Sequence, residues 1–179
     1  MKYLPIALLL TALFFSSCEK DPVDIPSCEN CNFTCIDSSR TDIITNDCPD
    51  DYSCTFRLRP DSRVDVGEFE GVAEGEKNVF FLMLDTEGDL QIADDELTLI
   101  LVFELEESQT SFSAEGSELN AMKAHYRRVC YCTETSFIAP ASGCMQGERQ
   151  PDGSWVVQGN WVVPYAQQDL EVVFEARFD

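Results

Sequence analysis

The sequence predicts an all-β protein, an antiparallel β-sandwich or barrel of about eight strands. Two stretches carry this prediction because large apolar residues occupy every second position, as in a strand with one buried face. The first stretch runs from residue 97 to 106, and the second from residue 170 to 178. Glycine-rich breaks separate the shorter apolar runs, and no long helical pattern is present.

Three further segments fit the same fold. Residues 55–60 alternate, and residues 78–86 are apolar on both faces, which indicates a strand buried on two sides. Residues 118–131 are ambiguous because Leu119 and Met122 have helical spacing. The β-branched and aromatic run at residues 126–132 favours a strand at the end of this segment.

The sequence Pro151 to Ser154 predicts a hairpin near the C-terminus. Asp152-Gly153 is typical of a two-residue turn because glycine adopts the positive φ that such a turn requires. In that register Cys144 lies opposite Trp161.

Composition and charge exclude several classes of protein. The chain has 179 residues, with 12 Lys and Arg against 33 Asp and Glu, and a formal net charge of -21. This length predicts one domain, and 44% hydrophobic residues exclude intrinsic disorder. Nucleic acid and anionic membrane surfaces are poor partners because they repel an acidic chain.

Eight of the nine cysteines predict disulfides, since an even number in an exported chain is typical of an oxidising compartment. They form an early group of five and a late group of three: Cys28, Cys31, Cys35, Cys48 and Cys54, then Cys130, Cys132 and Cys144. Both groups are odd, so complete pairing requires a bridge between them. We therefore expect residues 28–54 to form a Cys-rich cap, held by disulfides, on a β-domain of residues 55–179. A metal-thiolate site is the alternative for the early group.

The sequence contains no recognisable catalytic constellation. His125 is the single histidine, and it lies in no nucleophile or phosphate-binding motif. We therefore expect a protein that is not an enzyme and needs no cofactor. A small hydrolase working through paired carboxylates is the alternative, because acidic residues are abundant.

One acidic loop has part of a calcium-binding pattern. Asp85, Glu87, Asp89 and Glu96 occupy positions 1, 3, 5 and 12 of a calcium loop. Leu90 stands where the turn needs glycine, so the sequence predicts no strong calcium site. A calcium-dependent adhesion module is the functional alternative attached to this loop.

An aromatic row gives a second candidate binding site. Trp155, Trp161 and Tyr165 share one face of a predicted strand. Exposed, they could stack on a sugar ring or fill a partner's pocket. Core packing is the favoured interpretation, since such side chains bury large areas. Gly159, between the two tryptophans, fits close packing against another side chain.

The N-terminus has the features of an export signal. Met1 to Tyr3 carries a positive charge, and the following 12 apolar residues are too few to span a membrane. Phe15 to Cys18 resembles the lipobox of bacterial lipoproteins, in which the cysteine is acylated and becomes the new N-terminus. Glu19 to Pro22 is similar to the charged tether of Bacteroidota lipoproteins. An ordinary signal peptide cleaved near Ser17 is the alternative.

The last 60 or so residues, with Gly143-Cys144 and Gly159-Asn160-Trp161, resemble small uncharacterised β-sandwich lipoproteins of that bacterial group. This resemblance implies a fold without an activity. We expect residues 1–17 to be a signal peptide and residues 18–27 a tether lipidated at Cys18. The protein would sit at the outer membrane, facing the periplasm or the cell surface, as a binding or accessory protein. An envelope protein or a glycan is its expected partner, and nucleic acid is not.

Overall fold

The fold consists of ten strands and one short helix, in a computed structural model that describes residues 41–45, 48, 52–86, 97–130, 134–166 and 168–179. The elements are β1 (Thr41–Thr45), β2 (Tyr52–Val64), β3 (Val72–Glu74), β4 (Lys77–Thr86), β5 (Thr98–Leu105), β6 (Ser111–Glu115), α1 (Ser117–Ala121), β7 (His125–Val129), β8 (Ser142–Arg149), β9 (Trp155–Tyr165) and β10 (Gln168–Phe178).

The strands form two five-stranded sheets that pack face to face. Sheet I has the order β1-β10-β9-β8-β6, and sheet II has the order β3-β2-β4-β5-β7. Every strand pair is antiparallel except β1 with β10, which is parallel. The predicted antiparallel β-sandwich is confirmed. The ambiguous segment contains both predicted elements, because α1 precedes β7.

The facing surfaces of the two sheets supply the main core. The alternating residues of β5 point inward as predicted, with Leu99, Leu101, Phe103 and Leu105 all buried. Phe80 from β4 stacks on Phe103 with ring centroids 4.6 Å apart. Other rings contact Phe80 in T-shaped arrangements; the centroid of the Trp155 ring, for example, lies 5.3 Å from that of Phe80. Offset and edge-on ring contacts of this kind stabilise a core beyond the area that they bury.

Gly159 permits a close approach at the centre of β9. A Cβ atom at this position would lie 2.6 Å from the ring of Phe174 on β10. The space is filled by that ring, which meets Trp161 edge-on with centroids 5.0 Å apart. The close packing that the sequence predicted at Gly159 is confirmed.

A second, smaller core lies on the outer face of sheet II. Val79 and Phe81 of β4 point to this face and are buried, as are Ile100 and Val102 of β5. Phe137, from the segment before β8, packs on them. This layer explains why β4 is apolar on both faces.

Two features of the N-terminal part differ from the prediction. β1 lies within the predicted cap of residues 28–54, yet it pairs with β10, and Ile44 is buried in the main core. β2 begins at Tyr52, so Cys54 also belongs to a sheet. Residues 41–45 and 52–54 are therefore parts of the sandwich rather than of a separate cap.

The predicted hairpin register is wrong by one residue. Cys144 lies opposite Asn160, and Trp161 lies opposite Gly143. The loop is longer than a two-residue turn, because the Gln150 amide donates to the carbonyl of Ser154 at 2.7 Å, and inside it the Gly153 amide donates to the carbonyl of Gln150 at 2.9 Å. Gly153 takes a positive φ of 94°, which adds a bulge after the turn and shifts the pairing.

Candidate functional site

The loop between β2 and β3 forms a projecting tip on the outer side of sheet II. Its ends are joined where the Asp65 amide donates to the Gly71 carbonyl at 2.9 Å. Inside the loop, the Gly67 amide donates to the Asp65 carboxylate at 3.0 Å, and the Glu68 amide donates to the Asp65 carbonyl at 3.1 Å. These bonds give residues 65–71 a defined backbone.

Val66 and Phe69, which we call the apolar tip, are the two large hydrophobic side chains most exposed to solvent in the described part of the chain. Val66 is 51% exposed and Phe69 is 58% exposed. Both line one cleft of about 470 Å³, together with Arg127 and the segment Thr135 to Phe137. Two exposed apolar side chains at one cleft are typical of an interaction surface.

Arg127 of β7 holds the loop in place. Its Nη1 donates to the Phe69 carbonyl at 2.8 Å, and its Nε donates to the Thr135 carbonyl at 2.7 Å. Its guanidinium carbon lies 5.1 Å from the ring centroid of Phe69 and 5.2 Å from that of Phe137. A planar guanidinium suits this role because it can donate and stack at once.

The apolar tip is flanked by carboxylates. Asp65 pairs with Arg63 at 2.9 Å, and Glu70 pairs with Arg59 at 2.7 Å. Glu68, between the two tip residues, is exposed and makes no ion pair with a described residue. The surface around Val66 and Phe69 therefore contains acidic groups on the same loop.

Glu104 is the one carboxylate buried among the described residues, with a side chain 1% exposed. Its Oε2 accepts from the Val64 amide at 2.8 Å and from Lys123 Nζ at 3.2 Å. Its Oε1 lies 3.2 Å from Lys77 Nζ and 3.1 Å from Lys123 Nζ. Lys77 also reaches Glu106 at 3.1 Å. Glu104 thus joins β2, β4, β5 and the turn after α1.

The pKa of Glu104 shows which charge state these contacts favour. Burial acts to raise this pKa, but the Val64 amide and the ammonium groups of Lys123 and Lys77 together hold it below its usual range. A general acid at neutral pH needs a raised pKa instead. Glu104 therefore has the electrostatics of an ionised structural group, and it lines neither the cleft at the apolar tip nor the second cleft described below.

The predicted aromatic row is not a surface. Trp155 is 1% exposed and Trp161 is 0% exposed, so the interpretation of these two side chains as ligand-stacking groups is wrong and core packing is correct. Tyr165 is half-buried, and its hydroxyl donates to the Glu134 carbonyl at 3.0 Å. The alternation of β9 placed the three residues on one face, and that face is the inner one.

The predicted calcium ligands are only partly described. Asp85 lies at the end of β4, and its carboxylate accepts from the Thr98 hydroxyl at 2.5 Å. Glu87, Asp89 and Glu96 lie outside the described residues. Among the residues that are described, no three His, Cys, Asp or Glu side chains are grouped so as to hold a metal ion.

Four of the predicted disulfide cysteines are described, and all four are bonded. Cys48 pairs with Cys54, with Cα atoms 5.7 Å apart. Cys130 and Cys144 are each disulfide-bonded as well. Cys28, Cys31, Cys35 and Cys132 lie outside the described residues, as does the proposed lipidation site, Cys18.

The sequence analysis missed the apolar tip. The alternation of Val64 and Val66 with charged residues predicts a strand, and Gly67 and Gly71 around Phe69 predict only a break between strands. One signal was available, since Asp65 to Glu70 alternates acidic and apolar residues on both sides of Gly67. No helix in the described ranges has the length and apolar character needed to cross a membrane.

Comparison of the chain with protein-family models, with curated proteins and with solved structures finds no match to any of the three.

Proposed function

We propose that this protein is a non-catalytic binding module of the bacterial cell envelope, anchored by a lipid at Cys18. The apolar tip at Val66 and Phe69 would be its contact with a partner protein. The observation that carries this proposal is the exposure of Phe69, 58%, on a loop held in one conformation by Arg127. An aromatic side chain fixed before binding loses little entropy when a partner covers it.

The contacts made by the tip distinguish it from an ordinary exposed side chain. Single exposed hydrophobic residues are common on protein surfaces and need no explanation. Here Val66 and Phe69 share a cleft, and Arg127 binds both the carbonyl and the ring of Phe69. Aromatic residues, including Phe, and Arg are enriched at protein interfaces.

The charge around the tip indicates the kind of partner. Of the three carboxylates beside the apolar residues, Asp65 and Glu70 are paired with Arg63 and Arg59, so the excess negative charge comes from Glu68 and from the chain's net charge of -21. A surface that offers an apolar pocket with a basic rim is complementary to this arrangement. We therefore propose a partner protein rich in Lys or Arg around its pocket, since attraction to an acidic protein would also speed their encounter.

The proposed location of the protein rests on its N-terminal sequence. The lipobox-like run ending at Cys18 and the tether that follows support a place at the outer membrane. The bonded cysteines Cys48, Cys54, Cys130 and Cys144 agree with an oxidising compartment.

The proposal is tested by cross-linking in the native envelope. A photoreactive phenylalanine is placed at position 69 of the full chain, and at the exposed Asp169 on the opposite sheet as the control. We expect position 69, and not position 169, to give one dominant adduct. Mass spectrometry should map the adduct to an apolar pocket on the partner with Lys or Arg beside it. Absence of a dominant adduct from position 69, or the same adducts from both positions, would overturn the proposal.

A further inference from the structure

A second cleft lies on the opposite side of the sandwich, on the outer face of sheet I. We call it the amide cleft; its volume is about 530 Å³. This volume is within the range of small-molecule sites, about 300–1,000 Å³. Three neighbouring strands, β6, β8 and β9, contribute to it. The described residues that line it are Ser111, Phe112, Gln146, Gly147, Glu148, Gln150, Val156 and Gln158.

The amide cleft lies mainly on strands rather than on loops. The pairing of two of these strands sets the positions of its two central glutamines. Gln146 of β8 lies directly opposite Gln158 of β9. Gln146 Nε2 donates to Gln158 Oε1 at 3.3 Å. This bond orients both amide groups, and it leaves the Gln146 oxygen and the Gln158 nitrogen without a further partner among the described residues. Groups held on rigid strands are suited to bind a ligand of defined shape.

The charge of the amide cleft is unusual for this chain. The protein has 33 acidic residues, yet Glu148 is the one ionisable residue among the described residues that line the cleft. Three of the seven glutamines, Gln146, Gln150 and Gln158, lie there instead. Uncharged polar side chains are thus concentrated on this surface, although carboxylates are far more numerous in the chain as a whole.

This composition excludes most ligand classes. A metal ion needs several oxygen ligands with charge, and Glu148 alone does not supply them. An anion would be repelled by Glu148 and by the net charge of -21. A fully apolar ligand would cover the amide groups without satisfying their hydrogen bonds, which is unfavourable.

A neutral ligand with many hydroxyl groups, such as a saccharide, suits these uncharged polar side chains. Each hydroxyl both donates and accepts a hydrogen bond, and an amide side chain offers both functions without charge. We propose that the amide cleft binds a neutral saccharide, with Gln146 and Gln158 as the central hydrogen-bonding pair. Ser111 and Gln150 supply further uncharged groups, and Glu148 accepts from ligand hydroxyls.

This site is independent of the proposed function. The amide cleft is on the outer face of sheet I, whereas Phe69 and Arg127 lie on the outer side of sheet II. A ligand bound in the amide cleft would leave the apolar tip free to contact a partner. Failure of the saccharide proposal therefore says nothing against the apolar tip, and the reverse also holds.

The test uses the full chain on an array of neutral glycans built from glucose, galactose, mannose, N-acetylglucosamine and fucose, with sialylated and sulfated glycans as charged comparators. Binding of at least one neutral glycan, and of no charged glycan more tightly, is expected. The strongest neutral ligand is then titrated against wild type and against Gln146→Leu, Gln158→Leu and the double variant. Gln168→Leu, at an exposed position on β10 outside the cleft, is the matched control.

We expect each single variant to weaken binding at least about tenfold, because each removes hydrogen bonds worth about 1.4 kcal/mol. Gln168→Leu should bind as wild type does. Circular dichroism and the melting temperature establish whether the substitutions leave the fold intact. No neutral binder on the array, preference for charged glycans, or unchanged affinity in the double variant would each overturn the proposal.

Discussion

Arg127 contacts Phe69 in two ways: Nη1 donates to the Phe69 carbonyl at 2.8 Å, and the guanidinium carbon lies 5.1 Å from the centroid of the Phe69 ring. The two residues are 58 positions apart in sequence. One side chain of β7 thus determines both the path of the loop and the orientation of its exposed ring. We therefore expect Phe69 to keep one orientation at the surface.

The role of Arg127 can be measured by hydrogen exchange. Arg127→Lys keeps the positive charge but removes the planar guanidinium, which donates to the Phe69 and Thr135 carbonyls at the same time. Residues 65–71 should then exchange about tenfold faster, which corresponds to about 1.4 kcal/mol of local opening free energy. Arg128→Lys, at the adjacent position, is the control and should leave this loop unchanged. Equal exchange in wild type and Arg127→Lys would show that the loop is held by other contacts.

The Glu104 cluster predicts a pH-dependent contribution to stability. The folded-state pKa of Glu104 is lowered by the Val64 amide and by Lys123 and Lys77, against the opposing effect of burial. In the unfolded chain this pKa is about 4.3. The stabilisation is therefore fully present above that value and is lost as the pH falls through the lower, folded pKa.

Glu104→Gln tests this directly by urea unfolding at several pH values. At pH 7 the variant should be less stable by about 2 kcal/mol, because both lysines lose their buried partner. The difference should shrink as the pH falls below about 4.3, because the unfolded chain then takes up a proton that folded Glu104, with its lowered pKa, does not. A difference that stays constant from pH 7 to well below that value would contradict the lowered pKa of Glu104.

Disulfide mapping tests how the N-terminal cysteines join the sandwich. The Cys48–Cys54 bond leaves three early cysteines, and the late group also has three. Full pairing then requires at least one bridge from Cys28, Cys31 or Cys35 to the late group. Non-reducing mass spectrometry after proteolysis should find this linked peptide. Reducing it should destabilise the domain by roughly 2–5 kcal/mol. Links confined to each group would leave a free thiol in both and revive the metal-thiolate interpretation.

Lipidation at Cys18 is tested by metabolic labelling. Labelled palmitate should enter the wild-type protein and be absent from Cys18→Ala, because this cysteine directly follows the apolar segment and small serines. Cys28→Ala is a matched control that should keep the label. Label that persists in Cys18→Ala would support the ordinary signal peptide instead.

The parts of the fold that depend on local alternation were predictable from sequence. β5 is the clearest example, since Leu99, Leu101 and Phe103 point inward as their spacing indicates. β1 was not predictable, because its five residues lie in a stretch rich in Cys, Asp and Asn. It is held as a strand by parallel pairing with β10, more than 120 residues later in the chain, and no local pattern contains that information.

The two candidate sites show a different limit of sequence analysis. The contact between Phe69 and Arg127 joins residues 58 positions apart, so the glycine-rich loop alone could not indicate it. The Gln146–Gln158 pair was within reach of the hairpin prediction, but a register wrong by one residue placed Gln146 opposite Gly159 instead. A slip of one residue moves every side-chain pairing in a hairpin.

The central claim is that Phe69 is the contact made with a basic partner protein. Its most direct test is the affinity of the cross-linked partner, once purified, for wild type, Phe69→Ser and the control Asp169→Ser, measured by calorimetry. Truncating an anchor residue costs about 2 kcal/mol or more, so Phe69→Ser should bind at least about thirtyfold more weakly. Asp169→Ser should bind as wild type does. A Phe69→Ser affinity within about twofold of wild type would contradict the account.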